Sequence, residues 1–142
     1  MYQFYALNII FNIIGGVTLG FDFFDRNMRL GAFLNRDAIQ NEVYRTTVGA
    51  LTFLFGCAKL ISVTEGNWYV LGDLAPAIAA MATGFTLLLQ RLYREEARVS
   101  VLDTRSVRYR LERIFILPKN AYGGISVVAG LMHLLFHHVP LL

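Results

Sequence analysis

Four apolar stretches, each close to the length of a membrane span, constrain this chain more than any other feature. They cover residues 2–24, 46–63, 74–92 and 122–138. A helix needs about 20 apolar residues to cross the hydrocarbon core of a bilayer. The 142 residues are 56% hydrophobic and 16% charged, and a soluble fold of this size could not hide so much apolar surface from water. The sequence therefore predicts an all-α integral membrane protein, a bundle of four transmembrane helices forming one membrane domain over residues 1–142.

The positive charges predict the orientation. Of the 13 Lys and Arg residues, 12 lie between Arg26 and Arg45 or between Arg91 and Lys119. Cytoplasmic loops of membrane proteins carry an excess of these residues. We therefore expect loops 26–45 and 93–120 in the cytoplasm and both termini outside. Short loops and the absence of a targeting segment favour a bacterial cell membrane. Charges gathered in alternate loops also argue against a nucleic-acid partner, which requires a basic groove.

The segment between the third and fourth stretches predicts a cytoplasmic amphipathic helix at about residues 103–117. Apolar side chains recur there at the spacing of one helical face, and arginines occupy the rest of the circumference. The apolar positions are Val107, Leu111, Ile114 and Phe115, and the basic ones are Arg105, Arg108, Arg110 and Arg113. Such a helix would lie at the membrane surface with its arginines near anionic headgroups. The alternative is a helix packed on the cytoplasmic end of the protein itself.

The two halves of the chain resemble each other. In the second and fourth stretches, Gly49, Gly56, Lys59 and Leu60 match Gly123, Gly130, His133 and Leu134 at identical spacing. In the first and third, Gly16-Val17-Thr18-Leu19 matches Gly84-Phe85-Thr86-Leu87, and Arg26 matches Arg94. A match at constant spacing indicates a repeated supersecondary unit. The sequence predicts two tandem helical hairpins, at residues 1–66 and 67–142.

Glycines mark the predicted contacts between helices. Lipid tails are as apolar as leucine, so membrane helices associate through close packing, which requires small residues. Gly16 and Gly20 stand four apart, whereas the glycine pairs of the second and fourth stretches stand seven apart. The predicted packing residues are Gly16, Gly20, Gly49, Gly56, Gly84, Gly123 and Gly130.

Five polar residues would lie in the outer half of the predicted bundle. They are Asn8, Asn12, Lys59, Asp73 and His133. Polar groups at membrane depth are costly and mark candidate sites, so these side chains could line one outward-facing polar pocket. The structural alternative is an ion pair between Lys59 and Asp73, with His133 as a packing or interfacial residue.

The sequence favours a non-enzymatic protein without metal or cofactor. His133 and His137 have the spacing of a metal-binding pair on one helical face, but a stable site requires further ligands. The same shortage argues against haem held by two histidines. Cys57, the single cysteine, is interpreted as a packing residue. No glycine-rich phosphate loop and no nucleophile–base pair is recognisable, so no catalytic residue is predicted.

One helix resembles a known family. The pattern Arg45-x3-Gly49-x3-Phe53-Leu54-x-Gly56-x2-Lys59-Leu60 is similar to the first helix of DoxX-like membrane proteins, and Gly72 and Gly84-x-Thr86-Leu87-Leu88 are compatible with the helix that follows. The resemblance implies a four-helix fold and an association with quinone or thiol redox chemistry. The chain departs from that family because the pattern lies on its second helix.

Three functions follow as hypotheses. The first is a non-enzymatic subunit or assembly factor of a membrane complex, because the chain combines glycine seams with little mass outside the bilayer. The second is a small oligomeric transporter or channel that uses the outward-facing polar site. The third is a DoxX-like redox accessory protein. The expected partners are the lipid bilayer and either further copies of the chain or a larger membrane complex.

Overall fold

The computed structural model describes residues 2–61, 70–96 and 107–135. Over these residues the chain is helical and contains no strand, which confirms the predicted all-α class. In chain order the helices are α1 (Tyr2–Leu19), α2 (Phe21–Met28), α3 (Arg36–Gln40), α4 (Glu42–Ile61), α5 (Val70–Glu96), α6 (Val107–Leu111) and α7 (Lys119–Leu135). A 3-10 turn at Leu30–Ala32 and a π-helical turn at Glu112–Ile116 lie between them.

The four long helices pack in two tight pairs, α1 with α7 and α4 with α5. A Cβ added to Gly16 would stand 2.6 Å from the carbonyl oxygen of Gly123, and one added to Gly84 would stand 2.6 Å from that of Gly49. Backbones approach this closely only where both helices carry glycine. These contacts form two glycine seams, the α1–α7 seam and the α4–α5 seam.

The two pairs join into one bundle through further contacts. Phe11 on α1 and Phe55 on α4 stack with their ring centroids 4.8 Å apart. On the opposite side, the hydroxyl of Thr83 on α5 donates to the carbonyl oxygen of Tyr122 on α7 at 3.4 Å. Each long helix therefore runs antiparallel to its two neighbours around a common centre.

Polar side chains fill the centre of this bundle and large apolar side chains cover its outside. The buried polar residues are Asn8, Asn12, Thr18, Thr52, Thr83, Thr86, Ser126 and His133. The exposed apolar residues on the long helices include Ile10, Ile14, Leu54, Ile61, Ile78, Ile125, Val128, Leu131 and Leu134. Soluble proteins ordinarily bury their large aliphatic side chains and expose polar ones. The described bundle buries these polar side chains beside an apolar cluster of Leu19, Val48 and Leu87, and it exposes large aliphatic side chains along its long helices.

The first apolar stretch, predicted as a span over residues 2–24, is not one helix. It bends by 82° between α1 and α2, at Gly20, whose ψ of 18° departs from helical values. Gly20 has room for this turn because it lacks a side chain, and the ring of Phe24 covers the space that a Cβ would need. The charged residues that follow therefore leave the axis of α1 and run across the end of the bundle.

The described part of the predicted amphipathic helix is helical and adjoins the start of the fourth long helix. Residues 103–106 lie outside the described part, α6 and the π-helical turn cover 107–116, and a 44° bend separates them from α7. Pro118 sits at this bend, where it cannot donate the backbone hydrogen bond of a continuing helix. Phe115 packs against Phe85 and Tyr122, whereas Val107 and Ile114 are exposed. The apolar stripe thus packs only partly on the protein itself.

Length and composition give between one and three candidate membrane spans among the described residues. Leu74–Tyr93 qualifies alone, and the bent pairs α1–α2 and α6–α7 qualify if each is taken as one span. Four spans were predicted. The remaining long helix, α4 (Glu42–Ile61), is not among these candidates, so the bundle of four spans stays a prediction.

Candidate functional site

Asn12 forms the centre of a buried hydrogen-bond cluster between three helices. Its Nδ2 donates to the carbonyl oxygen of Pro76 on α5 at 3.0 Å and to that of Asn8, one turn earlier on α1, at 3.0 Å. Its Oδ1 accepts from the hydroxyl of Ser126 on α7 at 2.8 Å. Asn12 is 0% exposed. One amide therefore ties α1 to both α5 and α7 in a region that water does not reach.

Asn8 extends this cluster and leaves one donor unused. Its Oδ1 stands 3.4 Å from Nδ2 of Asn12, and its side chain is also 0% exposed. Its own Nδ2 is buried without a hydrogen-bond partner among the described residues. A buried donor that makes no hydrogen bond costs about 1–3 kcal/mol relative to a satisfied one, so Asn8 is the position of the cluster where an added acceptor would be most favourable.

His133 lies on the face of α7 that packs against α1. It stands seven residues after Ser126 and three after Gly130, and a Cβ on Gly130 would stand 3.2 Å from the carbonyl oxygen of Ile9 and from Cβ of Asn12. Positions three, four and seven apart share one helical face. His133 is buried and therefore stands on the same side of the bundle as the asparagines.

The other two residues of the predicted outer site, Lys59 and Asp73, stand on α4 and α5. Lys59 is partly exposed in the last turn of α4. Asp73 belongs to α5, but its side chain lies outside the described part, so the predicted Lys59–Asp73 ion pair stays a prediction. Of the five predicted residues, the structure thus brings Asn8 and Asn12 into contact and places His133 on the adjoining face of α7.

Sequence reasoning missed Ser126 and the carbonyl oxygen of Pro76. A signal for Ser126 was present, because it lies on the same helical face as Gly123, Gly130 and His133. It is the one serine of the fourth apolar stretch, and a hydroxyl on a packed helical face needs an acceptor. No sequence signal marks a backbone carbonyl on another helix.

Threonine hydroxyls continue the polar centre toward the end of the bundle that carries the arginines. Thr52 and Thr86 each donate to the carbonyl oxygen four residues earlier on the same helix, at 2.7 Å. Thr18 does the same to Ile14. Thr52 is also 3.4 Å from the carbonyl oxygen of Phe11 on α1. These hydroxyls are satisfied by the backbone, which allows them to fill narrow space between helices at little energetic cost.

Both basic segments meet at this end of the bundle. Arg45 on α4 donates to the carbonyl oxygen of Thr18, near the end of α1, at 3.2 Å, and to Oε1 of Gln90 on α5. Lys119 at the start of α7 stands 3.6 Å from Asp22 on α2. A small notch beside Arg45 is lined by Glu42, Arg45, Thr46, Leu87, Gln90 and Arg91.

The predicted interfacial arginines lie beside the start of the α7 region. Arg110 and Arg113 are exposed. Arg105 lies outside the described residues, as does the side chain of Arg108.

The predicted packing glycines occupy crossing points of helices. Gly49 and Gly84 face each other, Gly16 and Gly20 face Gly123, and a Cβ on Gly56 would stand 3.0 Å from the carbonyl oxygen of Ala77. Gly130 lies against Ile9, Asn12 and Ile13. At six of these seven positions a Cβ would stand less than 3.0 Å from another helix, and at Gly20 it would meet the ring of Phe24 at 3.1 Å.

The comparison with protein families gives one result. The model of an uncharacterised protein family matches residues 1–133 of the chain. The chain belongs to this family. No curated protein and no solved structure matches the chain.

In this member of the family, the described polar groups are suited to holding helices together. Over residues 2–61, 70–96 and 107–135, no three His, Cys, Asp or Glu side chains come close enough to hold a metal ion. The amides and hydroxyls of the central cluster are uncharged, and they form hydrogen bonds with one another and with backbone carbonyls. Such groups can bind a small polar molecule or hold helices in register.

Proposed function

We propose that this protein is a multi-pass membrane protein that serves as a non-enzymatic subunit or assembly factor of a larger membrane complex. The observation that carries the proposal is the distribution of side chains, with amides and hydroxyls buried in the centre and large aliphatic side chains exposed on the long helices. In lipid this arrangement is favourable, because polar groups must be satisfied inside and aliphatic groups face hydrocarbon. In water it would expose an apolar belt.

The positions of the charged residues support the predicted orientation. Arg45 binds the end of α1, and Lys119 is paired with α2, so the two basic segments stand at one end of the bundle. Under the positive-inside rule this end faces the cytoplasm, and both termini face outside.

Accessibility of introduced cysteines tests the membrane location and the orientation. In a Cys57→Ala background, a cysteine at Gly66 should react with an impermeant thiol reagent in intact cells, and one at Arg36 should not. Both should react once the membrane is permeabilised, which is the control for reactivity. Labelling of the Arg36 variant alone in intact cells would reverse the orientation, and equal labelling of both in a soluble fraction would contradict a membrane protein.

The role as a subunit is supported by how the polar centre is used. The described hydrogen bonds of Asn12 and Ser126 join α1, α5 and α7, and the two glycine seams hold the helix pairs together. These features favour a rigid bundle with an apolar outside available to other membrane helices.

The mass of the gently solubilised native complex tests this role. We expect a larger membrane protein to co-purify in fixed stoichiometry, because a bundle with so little mass outside the bilayer has few surfaces for independent activity. The measurement is native mass spectrometry of the tagged protein, with every co-purifying protein and small molecule identified. A homo-oligomer without a partner would contradict the subunit role.

A small oligomeric transporter or channel is the second candidate. The observation that favours it is the line of buried polar groups from Asn8 through Asn12 to the threonines, with Nδ2 of Asn8 making no hydrogen bond. A polar solute that offers an acceptor could bind there. The homo-oligomer described above would be the result expected for this function.

A DoxX-like redox accessory protein is the third candidate and rests on the resemblance of the second helix. It predicts a quinone or haem in the same purified sample, visible in its absorption spectrum. A colourless preparation that contains only lipid would remove the haem and weaken the case for a quinone.

A further inference from the structure

The helix that turns aside at the basic end of the bundle forms a surface that the sequence did not predict. We propose that residues 21–34, which include α2 and the 3-10 turn after it, form an interfacial platform that binds anionic phospholipid headgroups of the cytoplasmic leaflet. This inference rests on the proposed membrane location. The first observation is the 82° angle between α1 and α2, because a helix at a right angle to a membrane span runs parallel to the bilayer surface.

The apolar side chains of α2 become more exposed along the helix, away from the bundle. Phe21, Phe24 and Met28 are three and four residues apart and therefore share one face of the helix. Phe21 is 2% exposed, Phe24 is partly exposed and Met28 is 66% exposed. The face thus begins against the protein and ends beyond its edge, where acyl chains would cover Met28 in a bilayer.

The turn after α2 precedes a further exposed apolar side chain, that of Phe33. The carboxylate Oδ1 of Asp25 accepts a hydrogen bond from the backbone N–H of Gly31 at 2.6 Å. Arg29 ends α2 in the left-handed conformation with a φ of 55°, and its N–H donates to the carbonyl oxygen of Asp25 at 2.8 Å. These contacts fix the turn, and Phe33 follows it at 86% exposure. An aromatic ring held in this way suits insertion at the level of the headgroups.

The charges of the platform select the lipid. Asp22 is paired with Lys119 and Asp25 is occupied by Gly31, whereas Arg26 and Arg29 are exposed and have no carboxylate partner among the described residues. A guanidinium group binds phosphate through paired hydrogen bonds. Arg26 lies on the side of α2 away from Met28, so its charge can reach the headgroups while the apolar face remains in the acyl region.

A titration with short-chain lipid tests the charge selectivity. Dioctanoyl phosphatidylglycerol is added to the detergent-solubilised full-length protein, and bound lipid is followed by native mass spectrometry, with dioctanoyl phosphatidylcholine as the neutral probe. We expect Arg26→Gln to weaken binding of the anionic lipid about fivefold, the effect of one basic residue near an anionic surface. Arg26→Lys, which keeps the charge, should retain most of the binding. Equal binding of both lipids, or no effect of Arg26→Gln, would overturn the inference.

A tryptophan reporter tests the position of the platform and separates this inference from the membrane location. With Trp68→Phe as background, Phe33→Trp in lipid nanodiscs should be quenched by lipid brominated near the headgroup and protected from iodide. Gln40→Trp, an exposed position on α3, should be quenched by iodide. Failure of the protein to enter nanodiscs would contradict the proposed function. If the protein enters nanodiscs but iodide quenches Phe33→Trp, the interfacial platform would be wrong and the proposed membrane location would stand.

Discussion

Leucine at Gly123 is expected to disrupt the bundle, whereas leucine at the neighbouring Gly124 is expected to be tolerated. A Cβ on Gly123 would stand 2.7 Å from the carbonyl oxygen of Gly16 and 2.8 Å from the backbone nitrogen of Gly20. Backbone atoms cannot rotate aside, so α1 and α7 would have to separate. We expect a loss at or above the upper end of the roughly 1–3 kcal/mol that overpacking usually costs.

Gly124 provides a matched control one residue away. A Cβ added there meets nothing within 4 Å, and leucine is a better helix former than glycine by up to roughly 1 kcal/mol. Thermal unfolding by circular dichroism and size-exclusion chromatography in mild detergent measure both variants. We expect Gly123→Leu to aggregate or melt early and Gly124→Leu to remain monodisperse. Equal behaviour of the two variants would contradict the α1–α7 seam.

Replacement of Asn12 by leucine is expected to destabilise the protein by about 2–3 kcal/mol. The change removes the hydrogen bonds to the carbonyl oxygens of Pro76 and Asn8 and takes an acceptor from Ser126. The Ser126 hydroxyl keeps its contact with the backbone oxygen of residue 12 at 3.0 Å, which limits the loss. Leucine itself adds an apolar group to a centre that is packed with polar ones.

The double-mutant cycle of Asn12→Ala and Ser126→Ala isolates the contact between α1 and α7. The two substitutions should together cost less than the sum of their separate effects, because each alone already removes the side-chain bond between them. Ser126→Ala leaves Oδ1 of Asn12 without this donor, and Asn12→Ala leaves the Ser126 hydroxyl with the backbone oxygen of residue 12 alone. Asn27→Leu is the control for the loss of an asparagine, since Asn27 is exposed on α2. The free energy of unfolding is measured by titration with a denaturing detergent. Additive effects in the cycle would show that the two side chains do not act together.

The predicted duplication stays a prediction, and the contacts between the aligned residues can be compared directly. The halves were aligned so that Gly16 matches Gly84 and Gly49 matches Gly123. Under this alignment the α1–α7 seam and the α4–α5 seam consist of equivalent glycines. In the same alignment Arg45 corresponds to Lys119, and Asp22 corresponds to Gln90. The contact of Arg45 with Gln90 and the ion pair of Lys119 with Asp22 are then also equivalent.

Local sequence determined the helical class and the positions of the long helices. Runs of apolar residues without strand periodicity form helices whatever surrounds them, because a helix satisfies its own backbone hydrogen bonds. The glycines were likewise visible as candidate contacts, since their spacing places them on one face of each helix. Asn8 and Asn12 were predicted to line a polar pocket, because polar groups at membrane depth are costly, and the structure buries both side chains.

Only the tertiary structure decided which of these groups meet. Ser126 and the carbonyl oxygen of Pro76 became partners of Asn12 because α1 packs beside α7 and meets α5 across the centre of the bundle, and helix order around a bundle is not encoded in the periodicity of any single helix. The bend at Gly20 also depended on the fold. Residues 2–24 are continuously compatible with a helix, but the close approach of Gly123 to Gly16 and Gly20 fixes where α1 ends. The chain after Gly20 then lies across the end of the bundle, where Asp22 on α2 pairs with Lys119 at the start of α7.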